Sequence, residues 1–244
     1  MIDFITLSMQ YGILIFAGKI GWILLCILIG AITYYKQALD FTGVLSLIIM
    51  GSTIIFFAGP QWLIIVILFL VLTLVATKMA KPYKQKKNLY QKKRTAKNVL
   101  SNGLVAFFLA MLGQWGAFIG GFIGAVATAT ADTMASEVGV LEQPILVTTL
   151  KRVPAGTNGG ISITGTAVGM AGAGVIGIAA CLLGLCPNPS KSLIIAIVAG
   201  TLGCFIDSFL GALLENKELL SNGQVNFLAT LSGAGIGALL MILL

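Results

Sequence analysis

Long apolar runs dominate the chain, and short polar stretches separate them. An apolar run of about 20 residues is long enough to cross a bilayer as a helix. Gly59-Pro60 and Leu112-Gly113 are very short turns, so the helices that flank each of them should be antiparallel. The first helix could begin earlier than residue 15, because residues 1–16 are also apolar. The predicted helices lie near residues 15–35, 41–58, 61–80, 98–114, 116–136, 162–184, 192–214 and 227–244.

The composition indicates that lipid is the solvent for most of the chain. Only 9% of the 244 residues are charged and 58% are hydrophobic, with a mean hydropathy of +1.02. A soluble domain carries about 25% charged residues. We therefore expect an all-α, polytopic membrane helix bundle with about eight transmembrane helices. Its predicted parts are the N-terminal transmembrane helices (1–80), a basic cytoplasmic loop (81–97) and a C-terminal transmembrane domain that carries the active site (98–244).

The distribution of positive charge predicts the orientation. Eight of the fifteen Lys and Arg residues fall between Lys81 and Lys97, and cytoplasmic loops are enriched in these residues. We therefore place this loop in the cytoplasm and both termini outside, in a multi-pass protein of the cell membrane. The net charge of +7 is explained by this loop, so we expect no nucleic-acid partner. The polar clusters at 132–160, 207–208 and 215–226 then face the cytoplasm, where nucleotides and magnesium are present.

The fifth predicted helix carries two acidic residues and several hydroxyls near its cytoplasmic end. Thr128, Asp132 and Ser136 share one helix face, and Thr133 and Glu137 lie on the neighbouring face. Carboxylates and hydroxyls suit a hard cation such as Mg²⁺, so both acidic residues are candidate metal ligands and catalytic residues. Because they are five positions apart, they could share one ion only if the helix ends or bends between them. The alternative is a helix cap at the membrane edge with hydroxyl packing.

A glycine-rich segment that follows two cations is the candidate phosphate site. Backbone N–H groups at a helix start attract anions, and glycine lets a phosphate come close. No lysine follows the glycines, so this is not a Walker A loop, and an ordinary interhelical loop is the alternative. Thr157, Asn158 or Ser162 could cap the next helix. The candidate nucleotide or phosphate ligands are Thr148, Thr149, Lys151, Arg152, Gly156, Thr157, Asn158, Gly159, Gly160 and Ser162.

Further polar residues lie in three other predicted helices. Asp207 and Ser208 lie about two turns inside a helix, and a carboxylate there needs a partner or a function. Asp207 is therefore either a third metal ligand and catalytic residue or the partner of a cation from another loop. Asn102 and Asn226 lie near helix starts, where asparagine more often caps a helix or bonds to another helix than binds a ligand. All four are included as candidate site residues.

Small residues and the absence of histidine restrict the possibilities further. The pairs Gly120/Gly124, Gly165/Gly169 and Gly233/Gly237 predict closely packed helices, which permits but does not require a homodimer. We expect a lipid tail to lie between these glycine-rich helices. The chain has no histidine, which excludes histidine-based triads and histidine-bound zinc. The four cysteines do not form a C-x-x-C pair, and small buried hydrophobic residues are the simplest interpretation.

The order of these motifs is similar to that of the DUF92 membrane family over most of the chain. The likeness rests on segments 131–139, 153–162 and 207–212, with 101–103 upstream and 226–228 downstream. It implies transfer of the terminal phosphate of a nucleoside triphosphate, often CTP, to an isoprenyl monophosphate such as phytyl or geranylgeranyl phosphate, with Mg²⁺ bound. It also implies that Asp132 and Glu137 contact the metal or the nucleotide and that Asp207 completes the acidic site. The phosphate contacts that it implies are Thr148, Lys151, Asn158, Gly159 and Gly160.

The acceptor chemistry is compatible with a site that lacks histidine. A monophosphate ester is largely ionised at pH 7 and needs no general base, whereas an alcohol would require one, such as Asp132 or Asp207. A lipid-phosphate cytidylyltransferase and a polyprenol kinase remain enzyme alternatives. A secondary transporter is the non-enzyme alternative, but such proteins often have inverted repeats with charges in both halves. Residues 1–95 contain almost no buried charge.

Overall fold

The structure, a computed structural model, describes residues 2–87, 89, 95–113 and 115–244, with side chains described from residue 17 onward. Arg94 and most of the basic stretch that follows Lys87 lie outside the described residues. Eight α-helices make up most of the described chain: α1 (Ile2–Tyr35), α2 (Phe41–Phe57), α3 (Pro60–Lys86), α4 (Ala96–Leu112), α5 (Gly116–Gly139), α6 (Ile163–Leu182), α7 (Pro189–Leu213) and α8 (Asn222–Leu243).

These helices confirm an all-α, polytopic membrane bundle. Within the described ranges, six helices (α1, α3 and α5–α8) are long and apolar enough to cross a membrane, while α2 and α4 have 17 residues each. A span count of eight and the outer location of both termini stay predictions. The helix α1 begins at Ile2, which agrees with the apolar character of residues 1–16.

Six helices extend beyond their predicted limits, namely α1, α3, α4, α5, α7 and α8, and capping boxes explain the earlier starts of α4 and α8. Asn98 and Thr95 form a capping box, so α4 begins at Ala96. Ser221 and Gln224 do the same for α8. Asn226 therefore lies in the second turn of α8 and does not open it. The largest extension at a C-terminal end is in α3, which ends at Lys86 rather than near residue 80 and includes Pro82.

The helix α5 is the centre of the bundle and packs against α3, α4, α6, α7 and α8. Its residues 120–131 are all buried. A Cβ atom on Gly124 would lie 3.0 Å from the carbonyl carbon of Gly233 on α8, and one on Gly169 of α6 would lie 2.8 Å from the oxygen of Ala131. The predicted small-residue faces are confirmed. The helix backbones touch at these faces, and the expected location of a lipid tail stays a prediction.

The helices α1–α3 form a layer beside this tightly packed unit. The helix α2 packs against α1, α3 and α4, and α3 packs against α5. Near the start of α3, the ring of Trp62 lies 4.5 Å from that of Phe122, centroid to centroid. Near its end, Lys84 reaches Glu137. Contacts at matching ends show that α3 and α5 run parallel.

The segment between α5 and α6 folds into a compact loop. A two-residue strand, β1 (Ile145–Leu146), pairs antiparallel with β2 (Gly160–Ile161). The N–H of Val147 also donates to the oxygen of Gly159 at 3.0 Å. Gly159 has φ +79°, and a Cβ atom there would lie 2.6 Å from the oxygen of Ser208 on α7. Only glycine allows this loop to contact α7 so closely.

Candidate functional site

One large cavity, of about 400 Å³, collects most of the predicted site residues. It has two differently lined parts. We call the first the polar end, and its lining residues are Lys84, Asn98, Asn102, Asp132, Glu137, Asp207, Glu215, Asn222, Asn226 and segment 156–162. We call the second the apolar branch, and its lining residues on α1–α3 include Cys26, Ile29, Leu47, Met50, Ile54, Leu63, Val66, Ile67 and Leu70.

The centre of the polar end is a pair of carboxyl groups from two helices. Asp132 on α5 lies within hydrogen-bonding distance of Asp207 on α7, although 75 positions separate them in the chain. Two carboxylates in contact repel each other unless a proton or a cation lies between them. This pair is therefore suited to hold a shared proton or a divalent cation.

Asparagine amides connect this pair to α4 and α8. With its amide oriented to satisfy both groups, Asn226 donates to Asp207 Oδ2 at 3.2 Å and accepts from Asn102 Nδ2 at 3.1 Å. Asn102 also donates to the oxygen of Asn98 at 3.1 Å. We call Asn102, Asn226, Asp207 and Asp132 the polar network. It joins α4, α8, α7 and α5, so their relative positions fix the carboxyl pair.

Glu137 lies at the same end of the cavity but has a different partner. Its Oε2 accepts a hydrogen bond from Lys84 Nζ at 2.9 Å, and both side chains are largely buried. The neighbouring Lys87 Nζ donates to the oxygen of Val140 at 2.9 Å. These contacts hold the end of α3 against the end of α5. Among the described residues, Lys84 is the one lysine or arginine that lines the cavity.

The glycine-rich segment closes one side of the polar end. Segment 156–162 lines the cavity, and Ser162 caps α6 by accepting from the N–H of Gly165 at 3.1 Å. The hydroxyl of Thr157 donates to the oxygen of Pro154 at 2.8 Å. Asn216 Nδ2 donates to the oxygen of Asn158 at 3.1 Å. The segment is therefore a fixed wall that packs against the end of α7.

The sequence matches the model of a known protein family. The model for "Integral membrane protein DUF92" matches residues 24–234. The chain belongs to this family.

Relatives of this DUF92 chain occur in an archaeon and in a plant. An uncharacterized membrane protein of Methanocaldococcus jannaschii is 38% identical over 210 residues, which cover 84% of this chain and 87% of the relative. Protein PGR of Arabidopsis thaliana is 30% identical, with 75% and 74% covered. Protein VTE6, chloroplastic, of the same plant is 27% identical, with 83% and 65% covered. No solved structure matches the chain.

Several predicted site residues of this DUF92 chain lie away from the cavity lining. Thr128 is fully buried and donates to the oxygen of Ala199 at 3.0 Å, so it joins α5 to α7. Arg152 pairs with Ile145 in an isolated bridge, and the turn between these two residues directs the predicted phosphate ligands outward. The predicted ligands in this turn region are all exposed: Thr148, Thr149, Lys151 and Arg152. Thr133, Ser136 and Ser208 do line the cavity.

Other residues of the site were missed or were not predicted as ligands. Asn222 lies four positions before Asn226 on the same face of α8, and this spacing was a usable signal. Glu215 lies near Asp207 and forms a side-chain hydrogen bond with Asn222. No sequence pattern marked Lys84 as a site residue, because its positive charge was attributed to the basic loop.

The donor set of the polar end fits a magnesium ion that is also bound by substrate. Within the described part of the chain, no group of three Cys, Asp or Glu side chains is arranged to hold a metal ion. The structure therefore does not bring Asp132, Glu137 and Asp207 together as one ligand set. Proteins usually bind Mg²⁺ through one or two carboxylates together with substrate phosphates, and the Asp132–Asp207 pair provides two carboxylates.

Proposed function

We propose that this protein is a membrane-embedded isoprenyl-phosphate kinase. It would transfer the terminal phosphate of CTP, or of another nucleoside triphosphate, to an isoprenyl monophosphate such as phytyl or geranylgeranyl phosphate. The observation that carries the proposal is the two-part cavity, in which a carboxyl pair and an apolar branch belong to one space. An acceptor with an anionic head and a hydrocarbon tail has the same two-part chemistry.

The proposed reaction requires little covalent chemistry from the protein. An oxygen of the acceptor monophosphate forms a bond to the terminal phosphorus of the nucleotide. The bond from that phosphorus to the bridging oxygen breaks, and the nucleoside diphosphate leaves with this electron pair. The acceptor oxygen is already ionised at pH 7, so no base has to remove a proton. Catalysis then depends on positioning and on charge neutralisation.

Named residues of the polar end match these needs. Asp132 and Asp207 would hold Mg²⁺, which supplies positive charge to the phosphates when it is bound. Lys84 is the lining cation, and it would neutralise phosphate oxygen in exchange for part of its contact with Glu137. Segment 156–162 would form the wall against which the phosphates lie. We also propose that the polar end faces the cytoplasm, because the positive-inside rule places loop 81–97 there.

The first experiment uses purified protein in detergent with Mg²⁺ and CTP labelled in its terminal phosphate. Phytyl, geranylgeranyl and farnesyl monophosphates are supplied in turn, with ATP, GTP and UTP as competing donors. We expect label in an isoprenyl diphosphate and a nucleoside diphosphate as the second product. Asp207→Asn should reduce transfer about a hundredfold or more, while Glu218→Gln, which changes an exposed acid outside the cavity, should retain it.

The position of the label in CTP and the choice of acceptor distinguish this kinase from the two alternative enzymes. A lipid-phosphate cytidylyltransferase would release pyrophosphate and place label from the α-phosphate of CTP in the lipid. A polyprenol kinase would label an alcohol acceptor and not the monophosphate. If the protein is folded and no phosphate is transferred from any donor to any acceptor, the kinase proposal is rejected.

A further inference from the structure

The apolar branch lies among buried residues of the bundle. Cys26, Ile54 and Leu63 line it, and each is at most 2% exposed. The buried rings of Trp62 and Phe122 are next to this part of α3, with their centroids 4.5 Å apart. The lining residues Leu63 and Leu70 lie about 10 Å apart along α3, at 1.5 Å per residue. The branch therefore offers a hydrocarbon chain an apolar lining that is shielded from water.

Gly103 on α4 and Met50 on α2 lie opposite each other in the cavity lining, next to the polar end. Gly103 follows Asn102 of the polar network directly and lines the cavity. A Cβ atom on Gly103 would have one neighbour within 4 Å, the Cε atom of Met50 on α2 at 3.0 Å. We call Gly103 and Met50 the neck. A larger side chain at position 103 would occupy the open space of the neck.

We propose that the apolar branch is the binding subsite for the isoprenoid tail and that side-chain size at the neck limits which tails enter it. This inference rests on the proposed function for the identity of the phosphate head. It assigns the tail to α1–α3, where the sequence motifs place no site residue, and to the neck beside α4. The chemistry would then belong to α4–α8 together with Lys84, and the acceptor preference to the layer formed by α1–α3.

Burial of tail carbon gives the inference a measurable scale. Each buried methylene contributes about fourfold in affinity, so a long tail inside the branch should bind much more tightly than a short one. Blocking the neck should remove this gain and leave the contribution of the phosphate head. The loss should therefore increase with tail length, which a general defect of the head site would not produce.

The test measures equilibrium binding of labelled dimethylallyl, farnesyl and geranylgeranyl monophosphates to the purified protein in detergent, without nucleotide. We expect Gly103→Leu to leave binding of dimethylallyl phosphate nearly unchanged, to weaken farnesyl phosphate about a hundredfold and to weaken geranylgeranyl phosphate by more than that. Gly235→Leu is the matched control, because no atom lies within 4 Å of a Cβ there and Gly235 is outside the cavity lining. The double variant Gly103→Leu/Met50→Ala should recover part of the loss.

Two outcomes overturn the inference. Equal affinity of Gly103→Leu and the unchanged protein for all three ligands would show that no tail passes the neck. An equal loss of affinity for all three ligands would indicate damage to the site that binds the phosphate head. Gly103→Ala is a smaller change at the same position, and a loss of affinity in it that is also independent of tail length would confirm this reading and reject the inference. Because binding is measured without nucleotide, the inference stands if tails are selected but no phosphate is transferred. If phosphate transfer occurs but Gly103→Leu does not alter the preference for tail length, the proposed kinase function is supported and the tail subsite is rejected.

Discussion

At the scale of residues, the site depends on polar contacts between side chains of different helices. Asp132 and Asp207 are a like-charged pair, and the amides of Asn102 and Asn226 fix its position. Sequence patterns identified both acids, because a carboxylate inside an apolar helix is costly and needs a function. They did not reveal that the two acids touch, since α5 and α7 are brought together by packing of small residues that lie far apart in the chain.

The carboxyl pair gives the sharpest test at this scale. Asp132→Asn and Asp207→Asn should each reduce phosphate transfer about a hundredfold or more, because a charged group aimed at the phosphates is lost. Asparagine keeps an oxygen that can accept the hydrogen bond, so thermal unfolding in detergent should change little. Activity at the original level in either variant would remove that residue from the mechanism. Glu218→Gln serves as the control for a lost acidic charge.

Lys84 allows its role in stability to be separated from its role at the site. Lys84→Met leaves Glu137 without its cation, so we expect a loss of about 1–3 kcal/mol in the free energy of unfolding together with a raised KM for the acceptor. Glu137→Gln added to Lys84→Met should recover stability but not KM. The comparison is made by thermal unfolding and by steady-state assays, with Lys151→Met as the control for an exposed cation. Recovery of both quantities in the double variant would show a purely structural role.

At the scale of elements, periodicity predicted helices well and predicted contacts between distant segments poorly. The apolar runs located all eight helices, but the extension of α3 to Lys86 depends on contacts with the end of α5 that no local pattern records. The glycine-rich segment was recognised from the sequence. Of the three residues proposed to cap α6, Ser162 is the one that does so. Lys151 and Arg152 were assigned to phosphate because they precede the glycines, yet the bridge between Ile145 and Arg152 places them outside the cavity.

The contact between α5 and α8 provides a prediction about stability. A Cβ atom on Gly124 would lie 3.0 Å from the carbonyl carbon of Gly233 and 3.1 Å from the Cα atom of Gly237. These neighbours are backbone and cannot rotate away, so Gly124→Val should separate the helices and strongly reduce the yield of folded, monodisperse protein. Gly235→Val on α8 adds the same side chain where a Cβ has open space. Size-exclusion profiles and thermal unfolding of the two variants should differ clearly, and similar behaviour would contradict the observed packing.

At the scale of the whole molecule, the direction of α3 relative to α5 restricts how the chain crosses the membrane. Trp62 meets Phe122 near the beginnings of these helices, and Lys84 meets Glu137 near their ends. Two parallel helices that both span a bilayer require one crossing between them. Only α4 lies between them in the chain, so its 17 residues should cross. Two residues separate α2 from α3, so we expect α2 to cross as the antiparallel partner of α3 in a helical hairpin.

Reporter fusions test this topology. Alkaline phosphatase, which is active only outside the bacterial cytoplasm, is fused after Lys87, Gly113, Glu218 or Leu244. Eight crossings with the basic loop inside predict activity at Gly113 and Leu244 and none at Lys87 and Glu218. If α2 and α4 did not cross, the chain would place Lys87 on the opposite side from Glu218, and the reporter at Lys87 would be active. That result would also separate Lys84 from Glu137 by the thickness of the membrane, so the polar end would not exist as one site. Agreement with eight crossings would instead place the carboxyl pair and Lys84 at the face where nucleotides are available.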